Sequence, residues 1–561
     1  MKTSGYSKFG LAAGVAIFAT LVVVCGSGAR AETTECVSVA SDGTPGNATS
    51  QRPAVSGDGH CVAFESLASN LAPGVTNGKS QVFVRKRQTG QTICVSVAFD
   101  GSQGNNDSDT AAISGDGRFV AFHSVATNLI PGGTSGIKQV YVHDCVTGSN
   151  ILVSVASGGG GGNGPSLNAT ITAGGRYVSF NSGATDLVPG VTNGKSQVYI
   201  YDIIDNQMIC ASLAAGGIQG NGDSYIAYIS ADGSTIAFIS TAQNLGTASG
   251  GQQLVYVRDL VAGTNTCVSF APDGKTLANA ACGTSSISAD GRYVGFDSNA
   301  SNLVTGDSNG HQDCFVRDRQ MGTTTRISVS SSGAQGNSNS DSPQLRADGR
   351  FVVFESDASN LVSGDSNGQT DVFLRDLRTG QTARVSLSAS GGQLNDFSWD
   401  GLSSISADGS VIAFHTDSSN VVPGIGAGNP GHVYVRILPT SDLEVLWVQL
   451  AQKCKTARGG QQCSLKGSLS VQDVGIMNTS ASSVAFYLST NSLYDASASL
   501  LSNAALKPLK AGKGGKPGQK AKVSLKVKLP ANTNADGQYV IAVVGATQDN
   551  NTAVFGPIAA Q

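Results

Sequence analysis

Two short loops carry hard oxygen donors at a spacing that a divalent cation can use. Asp307-x-Asn309-Gly310-x-x-Asp313 and Asp365-x-Asn367-Gly368-x-x-Asp371 put carboxylate and amide oxygens at alternating positions around a glycine-permitted turn. Several oxygens from one loop is what Ca²⁺ requires, so a structural Ca²⁺ ion is one expectation for these six residues. The competing expectation is that Asn-Gly makes the turn while the acids bond the backbone. Related loops at 75–81 and 191–197 keep Asn-Gly but lack the acids, which confines a metal to the two acidic loops. The acidic loops also satisfy G-x-S-x-G, at Gly306 to Gly310 and Gly364 to Gly368. A nucleophile elbow needs a strand-turn-helix, whereas these segments join two strand-like runs. Residues 441–561 contain no His to complete a triad, so a serine hydrolase is set aside.

A second candidate set follows a recurring Phe: Glu65, His123, Asn181, Ile239, Asp297, Glu355 and His415. Six of the seven are polar. They form either a ring of acid and base groups at one height in the fold, able to take a ligand, or a set of hydrogen-bonding ties between neighbouring units. The six histidines (60, 123, 143, 311, 415, 432) lack metal-motif spacing, and no C-x-x-C occurs.

The elements that position these residues repeat every 58 residues. Asn47, Asn105, Asn163, Asn221, Asn279, Asn337 and Asn395 keep that step, as do Phe64, Phe122, Phe180, Phe238, Phe296 and Phe354. Phe414 falls two late because of extra residues around Trp399-Asp400-Gly401. Each Asn reads as an Asx turn that every unit needs. A unit such as 337–387 offers four short strand-like runs separated by Gly, Asn and Asp turns. Four strands have two faces to bury, so the units must stack on one another. Seven units closing radially make a seven-bladed β-propeller. The fourth-strand motif appears early, at Val37-Ser38-Val39, and is missing after Val433-Tyr434-Val435-Arg436. The N-terminal strand is therefore expected to complete blade seven and remove an open edge.

Composition agrees with an all-β chain. Of 561 residues 13% are charged, against roughly 25% in an average soluble domain. Gly supplies 72 residues and 40% are hydrophobic, which suits turns and short strands around a buried core. A formal charge of -3 argues against a polyanion-binding role for the whole chain.

The ADGR-(F/Y)-V-(A/V/G)-F step followed by (V/C)-F-(V/L)-R-D, at Ala289 to Asp318 and Ala347 to Asp376, resembles the WD40-like repeat of TolB-type propellers over about residues 32–440. That resemblance implies an exported or periplasmic binding platform without one shared ligand.

After Pro439-Thr440 the period stops. Residues 441–561 offer strands at 443–450, 464–471, 484–488, 523–529, 539–544 and 552–555, the count of an immunoglobulin-like sandwich. Asp536-Gly537-Gln538-Tyr539 resembles a tyrosine corner. The run from Tyr487-Leu488-Ser489 through Leu509-Lys510-Ala511-Gly512 to Asn550-Asn551-Thr552-Ala553-Val554 resembles the CARDB family of adhesion-related bacterial Ig-like modules. Cys454 and Cys463 flank a polar segment whose Gly pair suits a hairpin, and across it two cysteines can reach disulfide separation. Lys507, Lys510, Lys513, Lys516, Lys520, Lys522, Lys526 and Lys528 read as a solvated hairpin. They lack the aromatics or Arg forks that nucleic-acid binding adds.

Lys2 and Lys8 precede an apolar stretch, and Ala29-Arg30-Ala31 offers a cleavage site, so residues 1–31 read as a secretory signal. No later segment is apolar enough to span a bilayer. The expectation is an exported bacterial protein, periplasmic or at the cell surface: a non-catalytic scaffold whose partner is a protein or a surface polymer. The alternative is a propeller enzyme acting on extracellular glycans or other polymers through the polar ring.

Overall fold

A computed structural model describes residues 32–246, 251–398, 403–425, 431–438, 443–457, 460–473, 482–489, 499–506, 520–529, 539–544 and 552–555. The expected leader at 1–31, the Trp399-Asp400-Gly401 segment, the junction at 439–442, the tyrosine-corner turn at 536–538 and Lys507, Lys510, Lys513 and Lys516 lie outside the described residues.

The 58-residue period becomes a four-stranded antiparallel sheet. In sheet one the strands are Ser50–Val55, Cys61–Ser66, Gln81–Lys86 and Gln91–Cys94, paired in chain order. The pattern recurs as sheet two (108–152), three (166–210), four (224–267), five (282–326) and six (340–384). The seventh sheet is built from both ends of the repeat region. Ser404–Ile405, Val411–Thr416 and His432–Ile437 are completed by Thr33–Cys36, in register from Thr33 opposite Ile437 to Cys36 opposite Tyr434. The pairing thus falls one step before the Val37-Ser38-Val39 motif. Val37 and Ser38 follow the strand, their amides donating to the Val433 carbonyl.

Second and third strands are buried on both faces, which explains their near-continuous apolar runs. Each sheet stacks the repeat Phe on an aromatic of the third strand, as Phe64 on Phe83 with ring centroids 5.9 Å apart. In every sheet but the third, where Gly174 replaces the acid, the turn before the second strand is an Asx turn: Asp58 Oδ1 accepts from Ser56 Oγ at 2.5 Å and from the His60 amide at 2.9 Å, and Gly59 takes φ 70°. These turns link the sheets. Asp58 donates its amide to the Gly115 carbonyl and Gly115 to Ala173; Ala231 donates to Ala289 and Ala289 to Ala347. Ala407 of sheet seven donates to Gly57 of sheet one at 2.9 Å. Each sheet therefore packs on the next in chain order, and the seventh packs on the first.

The C-terminal residues form two further sheets. Leu443–Ala457, Gly460–Asp473 and Lys520–Lys528 make one; Ser499–Leu506, Ser482–Ser489, Tyr539–Val544 and Thr552–Phe555 make the other. Leu465, Leu469, Val523 and Leu525 from the first share a core with Val484, Phe486 and Val540 from the second. Lys522, Lys526 and Lys528 are exposed on a strand at the sheet edge rather than in a hairpin loop. Lysines there discourage edge-to-edge pairing. The expected bond is formed: Cys454 lies opposite Cys463 in the first hairpin and is disulfide-bonded to it. Among the described residues no helix is long and apolar enough to cross a membrane.

Candidate functional site

The two acidic loops meet arginines. Asp313 opens the third strand of sheet five fully buried, and its Oδ1 accepts the Ser328 hydroxyl at 2.5 Å. Its Oδ2 accepts from Arg326 Nη1 at 2.8 Å and from Asn309 Nδ2 at 3.0 Å. Asp307 Oδ1 receives the same Arg326 nitrogen at 3.0 Å. Sheet six repeats the set. Asp371 accepts from Ser386 at 2.5 Å and Arg384 at 2.9 Å, Asp365 lies 3.3 Å from Arg384, and Asn367 donates to the Leu394 carbonyl. The acids therefore share a guanidinium, and a Ca²⁺ ion would have to displace it. Among the described residues no group of three or more His, Cys, Asp or Glu is arranged to hold a metal. Burial, opposed by Arg326 and reinforced by Asp313, pushes the Asp307 carboxyl up; burial and Asp371 do the same to Asp365.

The seven residues after the repeat Phe do lie at one level, on the second strands, but they are buried between sheets. None exceeds 6% exposure. Glu65 accepts from Gln51 Nε2 and, through its other oxygen, from the Thr110 amide of sheet two, both at 2.7 Å. Asp297 accepts from Thr284, from Gln312 Nε2 at 2.8 Å and from the Ser342 amide of sheet six. Glu355 accepts the Ser403 amide of sheet seven at 3.4 Å. Asn181 is held by Asn168 at 2.9 Å, His123 by Asp109, and His415 lies 3.4 Å from Asp417.

These ties secure a feature with no signal in the sequence. The first strand of sheets one to six shifts register at one position. There Arg52, Thr110, Asn168, Ile226 and Ser342 adopt φ between 42° and 54°. A non-glycine residue in that region costs on the order of 1–3 kcal/mol and persists only where its surroundings hold it. The amide that the preceding sheet's acid captures is, at Thr110 and Ser342, that of the strained residue itself. The five share a spacing and no residue type, so sequence reasoning could not find them.

The first strands touch one another around the ring and carry the half-buried polar groups that remain: Gln51, Arg52, Asp109, Thr110, Asn168 and Asp341. Asp109 is held below the usual carboxylate range, its burial outweighed by His123 and by Lys138 Nζ at 2.9 Å. Asp341 goes the other way, pushed up to about 6 by burial and by the charge of Asp297.

The recurring asparagines are cross-loop clamps rather than Asx turns. Asn47 accepts the Ser69 amide and donates to the Ser69 hydroxyl, both at 2.9 Å, while its own amide donates to Asn70 Oδ1. The same clamp recurs from Asn105 to Asn395. It ties the loop leaving one sheet to the turn after the second strand of the next.

No family model matches the chain, and no curated protein matches it. Solved structures similar to it include a putative TolB from Agrobacterium tumefaciens, at 16% identity over 63% of this chain and 95% of that one, with a TM-score of 0.34. The β-propeller domain of the Trilobed protease from Pyrococcus furiosus is similar at 11% identity over 69% and 93%, with a TM-score of 0.40. A prolyl endopeptidase is similar at 12% identity over 76% and 54%, with a TM-score of 0.42.

Proposed function

We propose that the chain is an exported, non-catalytic binding scaffold: a seven-bladed TolB-like β-propeller followed by an Ig-like, CARDB-like sandwich. The observation that carries this reading is the use made of the candidate acid and base groups. Glu65, Asp297 and Glu355 are buried as ties to the next sheet's backbone, where a substrate proton cannot reach them. The two-ended seventh sheet supports a closed ring with two loop-bearing faces, and the Cys454–Cys463 bond supports export to an oxidising compartment. The partner is a protein or a cell-surface polymer. A screen of the purified chain against glycans, surface polymers and envelope proteins tests the proposal. Retention of a partner without turnover supports it; release of product from a polymer replaces it.

The enzyme reading keeps one specific support. Asp341 is half-buried on an inner strand with its carboxyl near 6, the state a general acid needs. If a glycan is cleaved, Asp341→Asn should abolish cleavage, whereas binding alone should survive that change.

A further inference from the structure

We propose that Cys61 and Cys145 form a disulfide that staples sheet one to sheet two. The argument is the repeat itself. The first residue of each second strand packs against the turn glycine of the next sheet, and in four of the seven junctions a large apolar side chain of that next sheet, just past its third strand, joins the same cluster. These pairs are Phe119 with Ile203, Tyr177 with Leu260, Tyr293 with Leu377 and Phe351 with Leu438. Two junctions have a small residue instead, Thr235 and Val411. There the facing residue is an arginine that reaches over and donates to the intervening glycine carbonyl, Arg319 to Gly291 at 2.6 Å and Arg87 to Gly59 at 2.5 Å. At the remaining junction both positions are cysteine.

Cys61 and Cys145 enter the same apolar cluster. A Cβ built on Gly117 would lie 2.7 Å from Cys61 Sγ, so Cys61 presses on that glycine, and the Cys145 amide is bonded to the carbonyl of the adjacent Arg118 at 2.8 Å. Two thiols neither fill the space of an aromatic and a leucine nor bridge it as arginine does. A sulfur–sulfur bond joins the sheets where the other fillers are missing. Both residues are thiols in the structure, and burial pushes Cys61 up to about 11 and Cys145 up to about 12. Exchange thus belongs to the chain before these sheets close. One thiolate attacks the disulfide of an oxidant, either oxidised glutathione or a disulfide-bearing oxidoreductase, giving a mixed disulfide and one released thiolate. The second cysteine attacks the mixed disulfide, forming Cys61–Cys145 and releasing the other thiolate. The two thiol protons pass to the reduced oxidant.

In the cell this bond rests on the export reading, and the test separates the two. The full chain is reduced, unfolded and refolded in a glutathione redox buffer, and its peptides are mapped without reduction. A Cys61–Cys145 peptide pair beside Cys454–Cys463 is the expected result. Cys454–Cys463 formed with Cys61 and Cys145 still alkylated, or either paired elsewhere, overturns the proposal. Cys61→Ser should leave Cys145 as the one newly alkylated cysteine, and Cys145→Ser the reverse. If both bonds form on refolding while protein from cells carries neither, export fails and the staple stands.

Discussion

Sheets one and three begin their third strand on the same backbone as sheets five and six, with different chemistry. In sheets one and three Ser96 and Ser212 donate to Gln81 and Gln197, at 2.6 and 2.5 Å, beside Cys94 or Cys210 and buried Val75 or Val191. In sheets five and six the serine is kept, while Gln becomes Asp, Cys becomes Arg and Val becomes Asp. The difference teaches that the anchor needs only an oxygen for its serine. Once a carboxylate supplies that oxygen, an arginine and a second acid arrive as its companions. Sheet seven is a third solution: His432 Nδ1 shares a hydrogen bond with Ser38 at 2.9 Å, and here the anchor also joins the two ends of the ring.

The largest expected effect follows from that junction. Deleting residues 32–43 removes Ser38 and the strand paired to His432–Ile437, opening both a sheet edge and the ring. The repeat region should lose its cooperative melting transition in calorimetry. A truncated chain that melts like the intact one would show that the seventh sheet does not close the fold.

The anchors of sheets five and one can be exchanged. Arg326→Cys alone strands two buried carboxylates and should destabilise by about 3–5 kcal/mol, the usual result of removing one partner from a buried pair. The triple change Asp307→Val, Asp313→Gln and Arg326→Cys installs the set found in sheets one and three. It should return stability to within about 1 kcal/mol of the parent, because a buried ion cluster gains little over a well-packed neutral set. Urea denaturation separates the outcomes, and a triple variant as weak as the single one would mean the two anchors are not interchangeable.

Acid should act through the sheet-seven anchor. Burial, helped by the neighbouring His415, pushes His432 down to about 4. Its folded value lies below its unfolded one, so neutral His432 supports the fold fully above about 6.5, and that support is lost as pH falls towards 4. The loss should reach about 3 kcal/mol at most. Asp341 has the opposite sign: its folded value near 6 favours the fold at low pH and loses that contribution as pH rises from about 4 to 6. His432→Gln, which imports the residue of sheets one to three, isolates the first effect. Melting temperatures from pH 7 to 4 should fall less in the variant than in the parent, and parallel curves would remove His432 from the acid response.

The seven-fold repeat, the order of the four runs and the use of the N-terminal strand were legible because one Phe and one Asn recur at a fixed step. The two acidic loops were legible as a site and misleading as to its partner. Arg326 and Arg384 lie 13 residues after Asp313 and Asp371, on another strand, and only the hydrogen-bonded register brings them together. A signal existed in the repeat, since Arg replaces Cys94 and Cys210 wherever Asp replaces Gln81 and Gln197. In the C-terminal sheets, Ser499–Leu506 mixes three Leu with Ser, Asn and Ala, residues with little strand preference and no alternation, and its pairing with Ser482–Ser489 overrides that composition. The level of the polar ring was legible, and of its two readings Glu65, Asp297 and Glu355 take the one that makes them hydrogen-bonding ties between neighbouring sheets. Residue type cannot distinguish a carboxylate facing a ligand from one that captures the amide of a strained neighbour.

The smallest expected effect is the response to chelation, and it bears most directly on the difference between the sheets. A loop poised for Ca²⁺ should present several free oxygens around an empty centre. In sheet five both oxygens of Asp313 are engaged, by Ser328 and by Arg326 with Asn309, and Asp307 turns to the same guanidinium. Two carboxylates against one guanidinium leave a formal excess of one negative charge. Burial relieves it by pushing Asp307 and Asp365 towards the protonated form, so a proton can do what a cation would otherwise do. Removing Ca²⁺ with a chelator should therefore shift the melting temperature by less than about 1 °C, roughly the shift that 1 kcal/mol produces in a repeat region of about 400 residues. A clear drop on chelation, reversed by added Ca²⁺ and absent from the Asp307→Ala, Asp365→Ala double variant, would mean that the arginines swing aside for a metal. Sheets five and six would then differ from sheets one and three by a binding site rather than by an ion pair.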